Sequence, residues 1–368
     1  MAIMERRSAT RFLLVICVAG ISCAFSFINS NVLAFSKNCN RNNRVTVHMM
    51  AQNQVAASSE MLDRLFSFKP LFNMMKGQAR KKIQDRLLQL GTSWDAEVSE
   101  LLRAQEALEE EYARALNPEA VTPDYYNVPF HGYDEGNLCW AAATEVEAAA
   151  ISVHAPIFAE PGELRADGDD TLRQNFHDRM MQVLDEAGFR PKTIADLGCS
   201  TGLSSMKLAR TFPGAREITG VDLSPHMVAV ARHRQQTRAA ERAEAGRMQF
   251  LHGAAEATGL PDKSQDLVSL CLVNHELPAA ATREILAEAR RIVKPGGAIA
   301  LMDMDPSSVP FQRLAANPFA FAGFKSTEPW LQEYAGLDLA REVAAAGFRA
   351  PAQLSNSPRH QTLVAFTD

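Results

Sequence analysis

From about residue 169 the chain alternates between two hydrophobic periods. The short apolar runs TIADL (193–197), EITGVD (217–222), MQFLH (248–252), DLVSLCLV (266–273) and GAIALMD (297–303) have the length of buried strands. Between them, LRQNFHDRMMQVLDEAG (172–188), LSSMKLARTF (203–212), SPHMVAVARHRQQ (224–236) and TREILAEARRIV (282–293) carry apolar residues near helical period. Ser224 is a cap and Pro225 sits in the first turn behind it. Strands alternating with helices predict an α/β fold, a parallel sheet with helices on both faces. Near the end, LDLAREVAAAGF is a helix, and AQLSN and HQTLVAF flank SPR as a hairpin with Pro358 at the turn. Arg359 and His360 fall at its edge with no role assigned.

The preceding stretch, residues 60–160, reads as a helical extension. DRLFSFKPLFNMMKGQARKKIQDRLLQLG is helical on either side of Pro70 and Gly77. SWDAEVSELLRAQEALEEEYARAL is expected as one amphipathic helix capped by Ser93. AEPGELRADGDD (159–170) has the composition of a linker, so the α/β domain is set at 161–368. The segment YYNVPFHGYDEGNLCW (125–140) interleaves aromatics with His131, Asp134, Glu135 and Asn137. Its rings must be buried somewhere, either as a lid over a crevice or as a plug that docks the extension on the core. Phe311, Phe319, Phe321 and Phe324 are open to two readings, an acceptor pocket or ordinary core.

Charge and composition refine this picture at the N-terminus. The net charge is −5, but residues 1–59 hold six Lys/Arg and one acid, which leaves an acidic body. Such a body argues against a nucleic-acid partner. Arg6, Arg7 and Arg11 precede the uncharged run Phe12–Ile28, and SCA (22–24) and VLA (32–34), each followed by Phe, are candidate cleavage sites. No acid follows until after Ser59. A signal peptide followed by a transit-like stretch resembles the bipartite presequence of complex plastids. Secretion or an anchored ER location is the alternative. Cys139, Cys199 and Cys271 follow the presequence without paired metal spacing, so neither a metal site nor a disulfide framework is expected.

Chemistry concentrates at the strand ends, where such sheets bind ligands. In IADLGCSTG (194–202) a strand ends, Asp196 appears, and Gly198, Ser200 and Gly202 open a helix, allowing close backbone approach. About twenty residues on, the next strand ends in Asp222, placed to hold ribose hydroxyls. The G-x-G-x-x-G spacing is absent and an acid precedes the first glycine, so a pyrophosphate is disfavoured. The strand DLVSLCLV stops in Asn274, His275 and Glu276, an amide, an imidazole and a carboxylate at one strand end.

DLGCSTG, GVDLSP, HGAAEATGLPDKSQDLVSL and RRIVKPGGAIALMD together resemble class I S-adenosylmethionine-dependent methyltransferases, nearest the ubiquinone and menaquinone biosynthesis type. The resemblance covers about 169–305. It implies a Rossmann-like seven-stranded sheet, the cofactor S-adenosylmethionine and a small, lipophilic acceptor of quinone or pigment-precursor kind. Peripheral contact with a membrane is compatible with such an acceptor, and the oligomeric state is left open. The resemblance implies that Asp196, Gly198, Ser200 and Gly202 line the methionine and ribose side, that Asp222 takes the ribose hydroxyls and that Leu223 lies against adenine. The family's adenine-contacting Asp is Ala254 here, so that contact passes to Ala255 or Glu256. Asn274 and His275 stand beside the transferring methyl and are the catalytic candidates. His275 suits a base or a group that polarises an acceptor oxygen; Glu276 either orients His275 or caps the next element. A small soluble metabolite as acceptor, and a cofactor-binding regulatory protein without transferase activity, remain alternatives.

Overall fold

The structure, a computed structural model, describes residues 69–238 and 246–368; the presequence expected at 1–59 lies outside them. The extension consists of α1 (Lys69–Gln89), α2 (Trp94–Arg103), α3 (Gln105–Ala115) and α4 (Trp140–His154). The domain follows as α5 (Gly168–Glu186), β1 (Thr193–Leu197), α6 (Leu203–Thr211), β2 (Glu217–Asp222), α7 (Pro225–Thr237), β3 (Met248–His252) and β4 (Gln265–Cys271). It continues through α8 (Ala279–Ile292), β5 (Val293–Met304), four short helices between 309 and 345, β6 (Ala352–Ser355) and β7 (His360–Phe366).

The seven strands form one sheet in the order β3-β2-β1-β4-β5-β7-β6. β1 to β5 run parallel, and β7 is antiparallel to β5 and β6. Alternate residues of each strand face opposite ways. Ile194 therefore joins Leu172, Phe176, Met180 and Leu208 of α5 and α6 on one face, while Ala195 and Leu197 join Ile285, Leu286 and Val343 on the other. Both faces are covered, and β1, β2 and β4 end together at the carboxyl edge of the sheet. The expected seven-stranded α/β sheet with an N-terminal helical extension is the observed architecture.

Two expectations need correction, and a third reading that was left open is narrowed. The stretch 93–116 is two helices, not one: the chain leaves helical geometry at Ala104 (φ −94°, ψ 16°). The break has a packing cause. Trp94 and Val98 bury against Ala148 of α4, while Leu108 turns onto Met227 and Val230 of α7, and one straight helix cannot follow both surfaces. The linker at 159–170 is shorter than its composition suggests, because α5 already begins at Gly168. Phe311 and Phe321 are core: they bury against Leu331 and Ala335 in a small cluster beside Met304.

The extension docks on the domain through a backbone crossing. A Cβ at Gly168 would lie 2.5 Å from the carbonyl oxygen of His154, and the Arg165 N–H donates to Ala155 O at 2.9 Å. Propensity and packing then predict opposite signs for Gly168→Ala. Alanine is the better helix former by up to about 1 kcal/mol, but overpacking two backbones costs about 1–3 kcal/mol. The clash is with backbone and cannot be relieved by a rotamer, so urea unfolding is expected to show a net loss of stability.

Candidate functional site at the strand ends

The loop from β1 to α6 is built around two buried carboxylates. Gly198 (φ +72°) and Gly202 (φ +89°) adopt left-handed backbone, and a Cβ would lie 2.6 Å from Val273 at the first and 2.8 Å from Phe250 at the second. Only glycine fits both the angle and the space. Ser200 between them is also left-handed (φ 50°). Its N–H donates to Asp222 Oδ2 at 2.7 Å, and the Ser224 N–H donates to Asp222 Oδ1 at 2.8 Å. Asp222 thus ties the β1 loop to the start of α7. Asp196 accepts from the hydroxyls of Ser204 and Ser205, each at 2.6 Å, both on Oδ2. Its Oδ1 is buried with no partner among the described residues. Burial pushes both aspartates up to about 6, against the hydrogen bonds that favour their charge.

The exit of β4 is strained. Leu272 takes φ 61° while its N–H still donates to Met302 O at 2.8 Å. A left-handed non-glycine residue costs about 1–2 kcal/mol, and the turn it makes lays Val273 against Gly198 and winds Asn274–Glu276 into a single 3-10 turn. Asn274 is fully buried, and neither side-chain atom has a partner among the described residues. The ring of His275 is held by Asp303 at the end of β5: Nδ1 lies 2.7 Å from Oδ1, and the His275 N–H donates to Oδ2 at 3.2 Å. Burial alone would lower this imidazole, but the Asp303 carboxylate overrides it and holds it up to about 10. Asp303 occupies Nδ1, so Nε2 is the nitrogen left for either of the two tasks expected of the ring, polarising an oxygen or accepting a proton.

Glu276 does not orient His275; Asp303 does. Glu276 instead faces the 125–140 loop, where His131 Nε2 lies 3.4 Å from Oε1 and Asn137 Nδ2 donates to Oε2 at 3.5 Å. Burial pushes Glu276 up to about 7, against the attraction of His131 and His275. His131 also reaches Glu328 at 3.2 Å, and that carboxylate raises it to about 9 although burial opposes the charge. The loop therefore lies across the strand ends. The hydroxyl of Tyr125 donates to Glu256 and that of Tyr133 donates to Glu145 of α4. The Ser224 hydroxyl donates to Asn137 O at 2.7 Å, joining the loop to α7.

The structure brings Asp196, Gly198, Ser200, Gly202, Asp222, Leu223 and Asn274 to one edge. Leu223 is buried, and its carbonyl lies 3.1 Å from His252 Nε2; the Asn117 N–H donates to Nδ1, which leaves Nε2 to carry the proton. Ala255 packs against the second core cluster beside Tyr125, and Glu256 is engaged by that tyrosine. Two residues escaped the sequence reading. Asp303 ends a strand as Asp196 and Asp222 do, a signal that was available. Arg173, in the middle of α5, carried none. Its Nε donates to Asp169 at 2.9 Å, its NH1 to Cys271 Sγ at 3.4 Å, and its charge acts on Asp196. It is a cation held in place by Asp169 and Cys271. The unpaired oxygen of Asp196, the unpaired amide of Asn274 and the two glycine positions fit a polar ligand that brings its own hydrogen-bonding groups. Among the described residues no group of three His, Cys, Asp or Glu is placed to hold a metal ion.

Residues 194–297, from β1 into β5, match the family described as a methyltransferase domain. The demethylmenaquinone methyltransferase of Thermus thermophilus is 32% identical over 116 residues, 32% of this chain and 49% of that protein. The isonocardicin synthase of Nocardia uniformis subsp. tsuyamanensis is 33% identical over 170 residues, 43% of this chain and 50% of that one. The chain thus spans about half the length of either relative. A SAM-dependent methyltransferase from Aquifex aeolicus superposes with a TM-score of 0.39 at 18% identity, over 53% of this chain and 93% of that one. The family match is confined to the span from β1 into β5, and the sheet that holds it is the expected seven-stranded α/β sheet.

The His275–Asp303 pair has a pH signature. An imidazole raised to about 10 in the fold, from 6.5, contributes stability that is complete below pH 6.5 and lost as pH rises through 10. In Asp303→Asn the largest counter-charge is gone and only Glu328 and Glu276 still oppose burial. The ring is then expected to titrate lower than in the wild type by nitrogen NMR, and the alkaline loss of stability to shrink.

Proposed function

We propose that the chain transfers a methyl group from S-adenosylmethionine to a small, lipophilic acceptor of quinone or pigment-precursor type that carries an ionised oxygen. The observation that carries this reading is the His275 ring, held by Asp303 next to the unpaired amide of Asn274 at the end of β4. Bound in the crevice, S-adenosylmethionine supplies a methyl already activated on a sulfonium. The protein then has to position and to stabilise charge. Asp222 and the Ser200–Gly202 loop would hold the ribose, Leu223 and Ala255 the adenine, and Asp196, through its unpaired oxygen, the ammonium. Arg173 would hold the carboxylate. His275 would donate to a phenolate or enolate oxygen of the acceptor and keep it in the nucleophilic form. Glu276, titrating near neutrality, is the group suited to accept a proton from an acceptor that arrives protonated.

A relative named demethylmenaquinone methyltransferase supports a quinone-type acceptor. The composition of residues 1–59 supports a plastid as the place of action. A loop that ties its own residues to Glu256, Glu276 and Glu328 supports a lid role for 125–140.

Calorimetry with S-adenosylmethionine tests the reading. The wild type is expected to bind, and Asp222→Ala to bind at least about tenfold more weakly, since hydrogen bonds to a charged group contribute about 1.5–3 kcal/mol. His275→Ala is expected to keep cofactor affinity and to lose about a hundredfold in kcat, the usual scale for a fixed donor at a developing charge. Absence of binding by the wild type overturns the reading, and binding without transfer to any quinol or phenol assigns the chain to cofactor-binding regulation instead. A separate titration checks Arg173. Arg173→Gln is expected to lose affinity for S-adenosylmethionine but not for 5′-methylthioadenosine, which lacks the carboxylate; equal losses would remove Arg173 from the site.

A further inference from the structure

Glu328 holds a buried oxygen that the chemistry above does not use. The residue sits in the turn between the short helices Pro318–Lys325 and Leu331–Gly336. Its N–H donates to Phe324 O at 3.1 Å and its carbonyl accepts from the Leu331 N–H at 3.1 Å, so its backbone is fixed on both sides. It is only 6% exposed. Oε1 lies 3.2 Å from His131 Nε2, whereas Oε2 is buried with no partner among the described residues. Distances tie this carboxyl group to the strand-end site. The same His131 nitrogen lies 3.4 Å from Oε1 of Glu276, the neighbour of His275 in the 3-10 turn. The His131 N–H donates to Thr327 O at 2.9 Å, so the 125–140 loop and the turn of Glu328 are also joined by backbone. The helix that begins at Leu331 brings the Tyr334 ring to 6.3 Å from that of His275, and Glu333 accepts from the Ala279 N–H at 3.0 Å. Glu328 is therefore held beside the turn that carries Asn274, His275 and Glu276, and its charge acts on both His275 and Glu276.

The donors near Glu328 are committed or do not reach it. His131 Nε2 is already shared by two carboxylates. Asn137 Nδ2 donates to Glu276 Oε2 at 3.5 Å, which turns Asn137 Oδ1 toward His131 Nδ1, 3.1 Å away. Both ring nitrogens of His131 are thus engaged. The Trp330 indole, two residues on, does not serve Oε2 either, since its own Nε1 is buried without a partner among the described residues. A carboxylate only accepts hydrogen bonds, and a buried one left half-satisfied is costly. What Oε2 lacks is a donor. Asn274, in the neighbouring turn, has the same unmet need at both of its side-chain atoms.

We infer that Glu328 is a specificity-determining residue: its free oxygen receives an O–H or N–H that the acceptor carries in addition to the oxygen presented to His275. That the ligand is the methyl acceptor rests on the methyltransferase reading; the need for a donor at Oε2 does not. The acceptor would then be bifunctional. An ether in place of the donor would leave the carboxylate buried without a partner, and a site built to hydrogen-bond one group discriminates strongly against an analogue that lacks it.

The full chain is titrated calorimetrically, without oxygen, with 1,4-dihydroxynaphthalene, 4-amino-1-naphthol and 4-methoxy-1-naphthol. S-adenosylhomocysteine is present to fill the cofactor side without a methyl to transfer. The probes share the ring and one hydroxyl and differ only in the second group. The wild type is expected to bind the dihydroxy or the amino probe at least about tenfold more tightly than the methoxy probe, the scale of a hydrogen bond to a charged group. Whichever of the two binds more tightly identifies the donor as O–H or N–H. Glu328→Gln keeps the shape, and with its amide oxygen on His131 it presents an NH2 where Oε2 stood, so the preference is expected to vanish or reverse. A purely structural role would weaken all the probes alike and leave their ratio unchanged. Glu328→Asp keeps the charge and is expected to retain part of the preference, which separates recognition from a failure to fold. If the wild type binds no probe or binds all of them equally, or if Glu328→Gln keeps the wild-type ratio, the inference is overturned. S-adenosylmethionine titrated in parallel separates the two ideas. Donor preference without cofactor binding keeps the role of Glu328 and removes the methyltransferase reading, and cofactor binding without donor preference does the reverse.

Discussion

Ending parallel strands at one edge collects carboxylates in a place sheltered from water, and the local structure is arranged around that constraint. Asp196, Asp222 and Asp303 end three strands, and Glu276 and Glu328 are added by the turns beyond. A buried carboxylate must be neutralised, hydrogen-bonded or paired. The last two of these devices are seen here. Asp222 collects backbone N–H groups and so fixes two loops. Asp303 and Glu328 take imidazole partners, His275 and His131. Asp196 is met by two serines, and Arg173 acts on it from α5. The site's geometry is thus a consequence of charge compensation: the position of His275, the reach of the 125–140 loop and the burial of Arg173 all answer to an acid.

This explains what could be read in the sequence. Period and turn chemistry gave the strands, the caps Ser93 and Ser224, and the closing hairpin, because each depends on residues close in sequence. The positions of Asp196 and Asp222 were legible for the same reason, since a strand end followed by glycines or a capped helix is a local pattern. Pairings between distant segments were not. Nothing local links His275 to Asp303, 28 residues on, or Tyr125 to Glu256, 131 residues on. Glu276 was the nearer candidate to orient His275 in sequence, but the 3-10 turn points it at His131. The break at Ala104 was hidden because both halves of 93–116 have the same period. Only the two surfaces they meet, α4 and α7, distinguish them.

The extension is part of the site, not an appendage to it. Tyr125, His131 and Asn137 contribute partners to Glu256, Glu276 and Glu328, and α4 contributes His154 to the Asp169–Arg173 network. A domain spanning only residues 194–297 would leave Glu276 without His131 and Asn137, and would lack Asp303, Asp169 and Arg173 altogether. The half-length match to known relatives is consistent with that division. The loop after β1 and the exit of β4 lie inside the matched span, whereas Arg173, Asp303 and the 125–140 loop lie outside it.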